Sequence, residues 1–323
     1  MRGVYSVRRT GFPTAGAQRG VALITALLVV SLATVAAVAM ATRQHVDVRR
    51  TANLLHGEQA YAYALAAESW ARVIMDRDAE DSDIDTLEED WAFALPPISV
   101  EGGFVDGRIS DLQGRFNINN LVGKQGAPSE AEKDYFTRLL VVLGLDPVLT
   151  NALLDWIDPD IDARYPDGAE DDTYLLNNPP YRAANRPLSS VSELALVKGF
   201  SAEVMAVLQP HVTALPVATD INVNTASAEI LRALNEAFSE ADVESLIEGR
   251  GEEGYPDKAA FMAEDAMAGL EVALPLGTSS NWFNVQTDVV VGAGRARLES
   301  ILQREDGTSR VIARIRTRAR LMP

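Results

Sequence analysis

Hydrophobic and polar positions are distributed unevenly along this chain. Arg2, Arg8, Arg9 and Arg19 stand in a head without acids, and an uncharged run follows from Val21 to Thr42. As a helix that run extends about 33 Å at 1.5 Å per residue, enough for one bilayer crossing. Basic residues before it and none beyond until Arg43 predict a cytoplasmic amino terminus and an exported body. No Pro occurs between Arg43 and Pro96, and Leu54, Tyr61, Leu65 and Val73 recur at helical spacings among alanines. The apolar rod is therefore predicted to continue as one long helix, with those four residues as its packing stripe.

Period-two and β-branched patterning comes in two separated blocks. Val100 to Asn119 reads as strand-forming, with Phe104, Val105, Ile109, Phe116 and Ile118 among glycines. Strand character returns after about residue 275, in Val285–Val291, Ala296–Leu302 and Val311–Thr317, with Glu305-Asp306-Gly307-Thr308 as the turn of the last hairpin. Helical patterning fills the interval, so the fold class is α+β with its sheet split in sequence. Gly292-Ala293-Gly294 lacks a third glycine and a following helix, which makes it a turn or bulge and not a nucleotide loop.

Composition narrows the chemistry. A hydrophobic share of 47% can fill real cores, while 46 acidic against 29 basic residues leave a formal charge of −17 that repels phosphate backbones. Without any Cys, disulfides and thiolate chemistry are excluded. His45, His56 and His211 are scattered, and no GxSxG, P-loop or metalloprotease helix occurs, so the chain does not read as an enzyme.

Residues 155 to 172 hold Asp155, Asp158, Asp160, Asp162, Asp167, Glu170, Asp171 and Asp172 against the single cation Arg164. Like charge at that density is costly without a counter-ion. Pro159 and the Asp167-Gly168 turn let the loop fold back and aim oxygens inward, within a frame of Trp156, Ile157, Tyr165 and Tyr174. Asp158, Asp160, Asp162, Glu170, Asp171 and Asp172 are the candidate ligands, and calcium, which takes six to eight oxygens in flexible geometry, fits better than magnesium. The loop is not an EF-hand, because Ala163 and Ala169 stand where that motif needs Gly and Glu. The acid run Asp76–Asp90 has no such turn residues and reads as solvated. Eight arginines from Arg295 to Arg320 suggest either a solvated basic sheet face or a surface that orients a neighbour.

A cleaved secretory signal ends with its cleavage site, whereas here a small residue precedes the apolar core. The string QRGVALITALLVV resembles a type IV prepilin leader. That resemblance implies cutting by a prepilin peptidase after Gly20 and N-methylation of Val21, with the rod retained; an ordinary single-pass anchor is the alternative. The mature chain would carry 25 basic against 46 acidic residues, a charge of −21. Pilins place a Glu at the fifth mature position, where this chain has Thr25. Lacking that carboxylate, the subunit suits a filament tip with no subunit above it.

SVSELALVKGFSAEVMAVLQPHV and INVNTASAEILRALNEAFSEADVESLIEGR look like helix-hairpin-helix units. Phosphate binding by such units needs a Gly-rich turn with nearby cations. The turn from Asn235 to Glu240 has no Gly and two acids, so packing and partner recognition are favoured over nucleic acid. DWIDPDIDARYPDGAEDDTYL and NNPPYRAANRPLSSVSELALVKGF resemble the K-type minor pseudopilins of type II secretion. The resemblance implies a pilin-like fold with a long N-terminal transmembrane helix and a small antiparallel sheet, interrupted by a large all-α, SAM-like insertion. The expected division is a leader at 1–20, a membrane segment at 21–42, the stalk and first part of the head at 43–119, the insertion at 120–275 and the last strands at 276–323. It further implies calcium, I-type and J-type minor pseudopilin partners at a filament tip, and possible contact with secretin or cargo. The expected location is the Gram-negative inner membrane, with the globular part periplasmic. A tethered helix-hairpin-helix module for DNA uptake and a minor pilin of a type IV pilus are the competing readings.

Overall fold

The computed structural model describes residues 18–94, 96–123 and 126–317. Most of the expected leader, together with Arg318 and Arg320, lies outside them. The first element is a single helix, α1, Gln18–Asp81. Its membrane-proximal part has a mean hydropathy of 2.6 and buries none of that window. Hydroxyls within it are satisfied locally, as Thr25, Ser31, Thr34 and Thr42 donate to carbonyls three or four residues back. Such back-bonding leaves no hydroxyl unpartnered in a medium without water.

In chain order there follow β1 (Ile98–Val100), β2 (Gly103–Asp111) and β3 (Phe116–Asn117), then α2 (Glu130–Val142), α3 (Leu149–Ile157), α4 (Asp171–Tyr174) and α5 (Ala202–Leu208). After β4 (Val212–Thr213) and β5 (Ile221–Asn222) come α6 (Ala228–Arg232), α7 (Glu240–Gly249) and α8 (Lys258–Met262). The chain closes with β6 (Leu276–Gly277), β7 (Trp282–Val291), β8 (Gly294–Glu305) and β9 (Thr308–Thr317). The main sheet has the order β1-β2-β7-β8-β9 and every pair in it is antiparallel. Strands β2 and β7 pair from Gly103↔Val291 to Asp111↔Phe283, so everything between Asp111 and Trp282 is inserted between two neighbouring strands.

The strand block predicted to run to Asn119 leaves the sheet at Asp111, and Ile118–Leu121 forms a 3-10 turn. Hydrogen bonding explains the departure. Buried Asn119 donates to the carbonyls of Leu188 and Leu215 at 2.9 and 2.8 Å and accepts from the amide of Leu188 at 2.8 Å. Asn120 exchanges bonds with Thr219 at 2.8 and 3.1 Å, and Asn117 donates to Val217 at 2.8 Å. These asparagines supply the partners that a strand neighbour would otherwise give. Around them Phe116, Tyr135, Phe136, Leu153 and Ile230 form a core separate from that of the sheet. The hairpin at Asp306-Gly307 is as read from sequence, with φ of +51° and +71° suited to a type I′ turn.

The upper half of α1 lies on the sheet, with Tyr61 and Leu65 of the expected stripe packed against its core but the buried line made of other residues. Ala60, Ala64, Glu68, Ala71 and Met75 are buried, whereas Leu54 is 65% exposed and Val73 is also exposed. Small residues at helical spacing let the helix approach Val289, Val291, Ala296 and Leu298 closely, so apolar size alone misplaces Leu54 and Val73. The helix also stops at Asp81, well before Pro96, because Asp76, Asp78, Glu80 and Asp81 crowd the negative end of its dipole with no balancing base in the last turn.

The acid run Asp76–Asp90 is correspondingly not a solvated loop. Asp85 is 0% exposed and meets Arg304 at 2.5 Å, which also reaches Asp78 at 2.8 Å and the Ser280 carbonyl at 2.8 Å. Several members of the arginine row have partners within the chain. Arg314 pairs with buried Glu68 at 2.7 Å, Arg297 with Asp288 at 2.6 Å, and Arg316 lies 4.5 Å over the Tyr61 ring. The acids of the stalk and the arginines of the sheet fasten one to the other.

Candidate functional site

Helix α3 ends at Ile157 because Pro159 follows Asp158 and forces it to an extended ψ of 161°. The chain then turns back around Asp155, whose carboxylate accepts the amides of Arg164 at 3.0 Å and Ala169 at 2.8 Å, and the Arg164 guanidinium at 2.7 Å. Gly168 passes so near that an added Cβ would sit 2.2 Å from Asp155 Oδ2. The loop's return is thus fixed by one buried acid and one residue without a side chain.

That return brings Asp158, Asp160 and Glu170 together, with one carboxylate oxygen of each within 4.8 Å of the others. Asp158 is buried; its Oδ2 meets Arg164, and its Oδ1 has no partner. Glu170 is 3% exposed and neither of its oxygens is hydrogen-bonded. Burial, reinforced by Asp155, Asp158, Asp160 and Asp171, pushes the Glu170 carboxyl up to about 7. Burial also pushes Asp158 upward, against the opposing pull of Arg164. Three inward oxygens without donors form a donor set suited to a hard cation.

The other candidate ligands lie apart. Asp162 is exposed and gives its amide to Asp160 Oδ1 at 2.9 Å, Asp171 holds Arg182 at 2.9 Å and the Ala183 amide at 3.1 Å, and Asp172 is exposed in the first turn of α4. In the expected aromatic frame Trp156 and Tyr174 meet edge to face at 5.0 Å, but Tyr165 is 96% exposed. Sequence reasoning missed Asp155 as the loop's anchor, although its place one helical turn before Asp158 was a visible signal. Asp78, Asp85 and Glu89 form a second acidic group of similar size, but Arg304 already supplies its cation and Glu89 Oε2 accepts from Thr86 and Trp91.

At the other end, Gly20 and Val21 lie in the first turns of α1, and the Thr25 hydroxyl donates to the Val21 and Ala22 carbonyls at 3.0 Å. The side chain offers nothing negative to a neighbour. The stem, the split sheet and the insertion with its acidic loop are the features against which known proteins can be compared. Residues 114–217 and 221–282 match two family models, both described as type II secretion system protein K. The chain belongs to the type II secretion system protein K family.

Among protein K relatives, the one of Pseudomonas aeruginosa is 39% identical over 312 residues, covering 92% of each chain. That of Klebsiella pneumoniae is 36% identical, covering 92% of this chain and 96% of its own. A solved GspK-GspI-GspJ complex from the enterotoxigenic Escherichia coli type 2 secretion system contains a chain that superposes with a TM-score of 0.75 at 25% identity, over 84% of this chain and all of that one. A protein K chain is a minor pseudopilin, a structural component of the secretion machinery, and among its described residues this one carries one helix long and apolar enough to anchor it in a membrane.

Proposed function

We propose that this protein K chain caps the tip of the pseudopilus and promotes its assembly with I-type and J-type minor pseudopilins during export of folded proteins. The observation that carries the reading is Thr25, whose hydroxyl is bound within its own helix where a carboxylate would neutralise a neighbour's terminal amine. Support for the partners comes from the related GspK chain, solved as a complex with GspI and GspJ. In this reading a prepilin peptidase cuts after Gly20, Val21 is methylated, and residues 21–42 serve as membrane tether and then as polymer stem. The body lies in the periplasm, with secretin and cargo as further contacts. Residues 43–111 and 282–317 make up the head, and the chain between Asp111 and Trp282 the insertion, a wider span than the expected 120–275.

The same proposal assigns calcium to the acidic loop, with Asp158, Asp160 and Glu170 as its protein ligands. Support is the unpartnered state of Asp158 Oδ1 and both Glu170 oxygens. A bound divalent cation would supply the positive charge that these oxygens lack and hold the loop in its folded-back form. DNA uptake is disfavoured by the acids of the Asn235–Glu240 turn and by the overall charge.

The test is detergent extraction of the full chain after co-expression with its I-type and J-type partners. Capture of both as one complex is expected, and isolation of the chain alone overturns the tip reading. Thr25→Glu should leave expression unchanged but admit the chain into the filament shaft, which is read from its yield in sheared filaments.

A further inference from the structure

Among the described residues, the buried and half-buried arginines share a pattern with one exception. Arg72, Arg138 and Arg250 donate to the carbonyls of Ser309, Ala233 and Ala226, while Arg164, Arg297 and Arg304 pair with carboxylates. Arg115, half-buried, forms neither an ion pair nor a side-chain hydrogen bond, and the exposed Arg108 is likewise without either. Both line one cleft of about 410 Å³, walled by Trp91, Ile109 and Pro210, where β2 meets the insertion.

The nearest internal acid is otherwise engaged. Asp111 accepts from the Gln113 amide at 2.7 Å, Thr225 Oγ1 at 2.5 Å and Ser280 Oγ at 2.7 Å. Burial accordingly holds the Arg115 guanidinium below its ordinary range, only partly opposed by Asp111. A desolvated cation without a partner is a cost to the isolated chain. Beside it, β2 bonds to β1 only over Gly103–Val105, whereas its other edge bonds to β7 as far as Asp111. The edge from Asp106 to Asp111 is left open, and an open edge is a template for an added strand.

We propose that this cleft docks an extended acidic segment of a neighbouring pseudopilin, an Asp or Glu of which bridges Arg108 and Arg115 while its main chain extends the sheet along β2. Charge complementarity selects this occupant. Two guanidiniums in one place match a carboxylate bidentately, and the aromatic and proline walls suit a side chain better than a hydrated free anion. The inference rests on the tip reading above, since it requires a neighbour.

The experiment measures two quantities on the full chain in detergent, the melting temperature alone and the capture of purified I-type and J-type partners. Arg115→Met keeps the apolar stem and removes the charge. Its melting temperature should rise by about 1–2 °C. Its capture should fall by about tenfold or more, since losing one member of a buried charge pair costs at least that. Arg108→Met should lose capture alike with its melting temperature unchanged, because that guanidinium is already exposed, and Arg232→Glu, on an exposed helix surface, should change neither quantity. Unchanged capture by both methionine variants overturns the docking site, whatever their melting temperature, and a fall in both quantities assigns Arg115 a structural role and overturns it equally. Failure of the unmodified chain to capture either partner overturns the tip reading instead.

Discussion

Replacing Glu170 by Gln should reverse the order of stability between metal-free and calcium-loaded protein. In the metal-free chain, oxygens of Glu170, Asp158 and Asp160 lie within 4.8 Å of one another, and those of Glu170 have no donor. At that distance a like-charge pair costs about 3 kcal/mol at an effective dielectric of 20. The nearby Arg164 guanidinium and the exposure of Asp160 reduce the net relief from removing the Glu170 charge to about 2 kcal/mol. In chelator, Glu170→Gln should therefore melt about 3 °C above the unmodified chain. With calcium at about a hundred times its dissociation constant the unmodified chain gains about 2.7 kcal/mol, and a variant stripped of its central ligand gains almost none. Differential scanning calorimetry in chelator and in millimolar calcium should show the two chains exchanging rank. Equal melting of the unmodified chain in both buffers, with the variant less stable in each, refutes the metal reading and makes Glu170 a plain packing residue.

Arg304→Ala should destabilise by about 3–5 kcal/mol in chemical denaturation, because it leaves Asp85 charged and buried; a loss below 1 kcal/mol would place the Asp78–Asp85–Arg304 network outside the fold's essential contacts. Asn119→Ala should cost about 2–4 kcal/mol by the same assay, since the carbonyls of Leu188 and Leu215 and the Leu188 amide lose a buried partner together. Glu132 supplies a pH dependence: burial raises its carboxyl from 4.5 to about 7, so the folded chain holds that proton more tightly than the unfolded one. Its contribution is therefore a penalty absent below pH 4.5, growing as pH rises to about 7 and constant above. Glu132→Gln should raise the melting temperature at pH 8 and leave it unchanged at pH 4, and an equal shift at both values contradicts the assignment.

Much of the architecture was legible because the strongest signals were local. The uncharged Val21–Thr42 run, the alternating terminal strands and the Asp306-Gly307 turn each state their structure within a few residues. The failures share a cause, since each depended on a partner distant in sequence. No reading of Asp76–Asp90 by itself reveals Arg304, more than two hundred residues away, and Arg314 looks like a free cation until Glu68 is placed beside it. The stalk's alanines read as spacers in sequence because their merit lies in the closeness of a sheet that the helix does not encode. In the acidic loop, turn chemistry correctly suggested a chain folding back on itself. Which acids converge is decided by backbone amides capturing Asp155, and by Arg182 drawing Asp171 aside.

The tether and stem are most directly tested by the intact mass and N-terminal sequence of the native protein extracted from membranes. A chain beginning at methylated Val21 with all of α1 retained is the expected result. A chain that still carries residues 1–20, or one that starts beyond Thr42 and has lost its apolar segment, contradicts it.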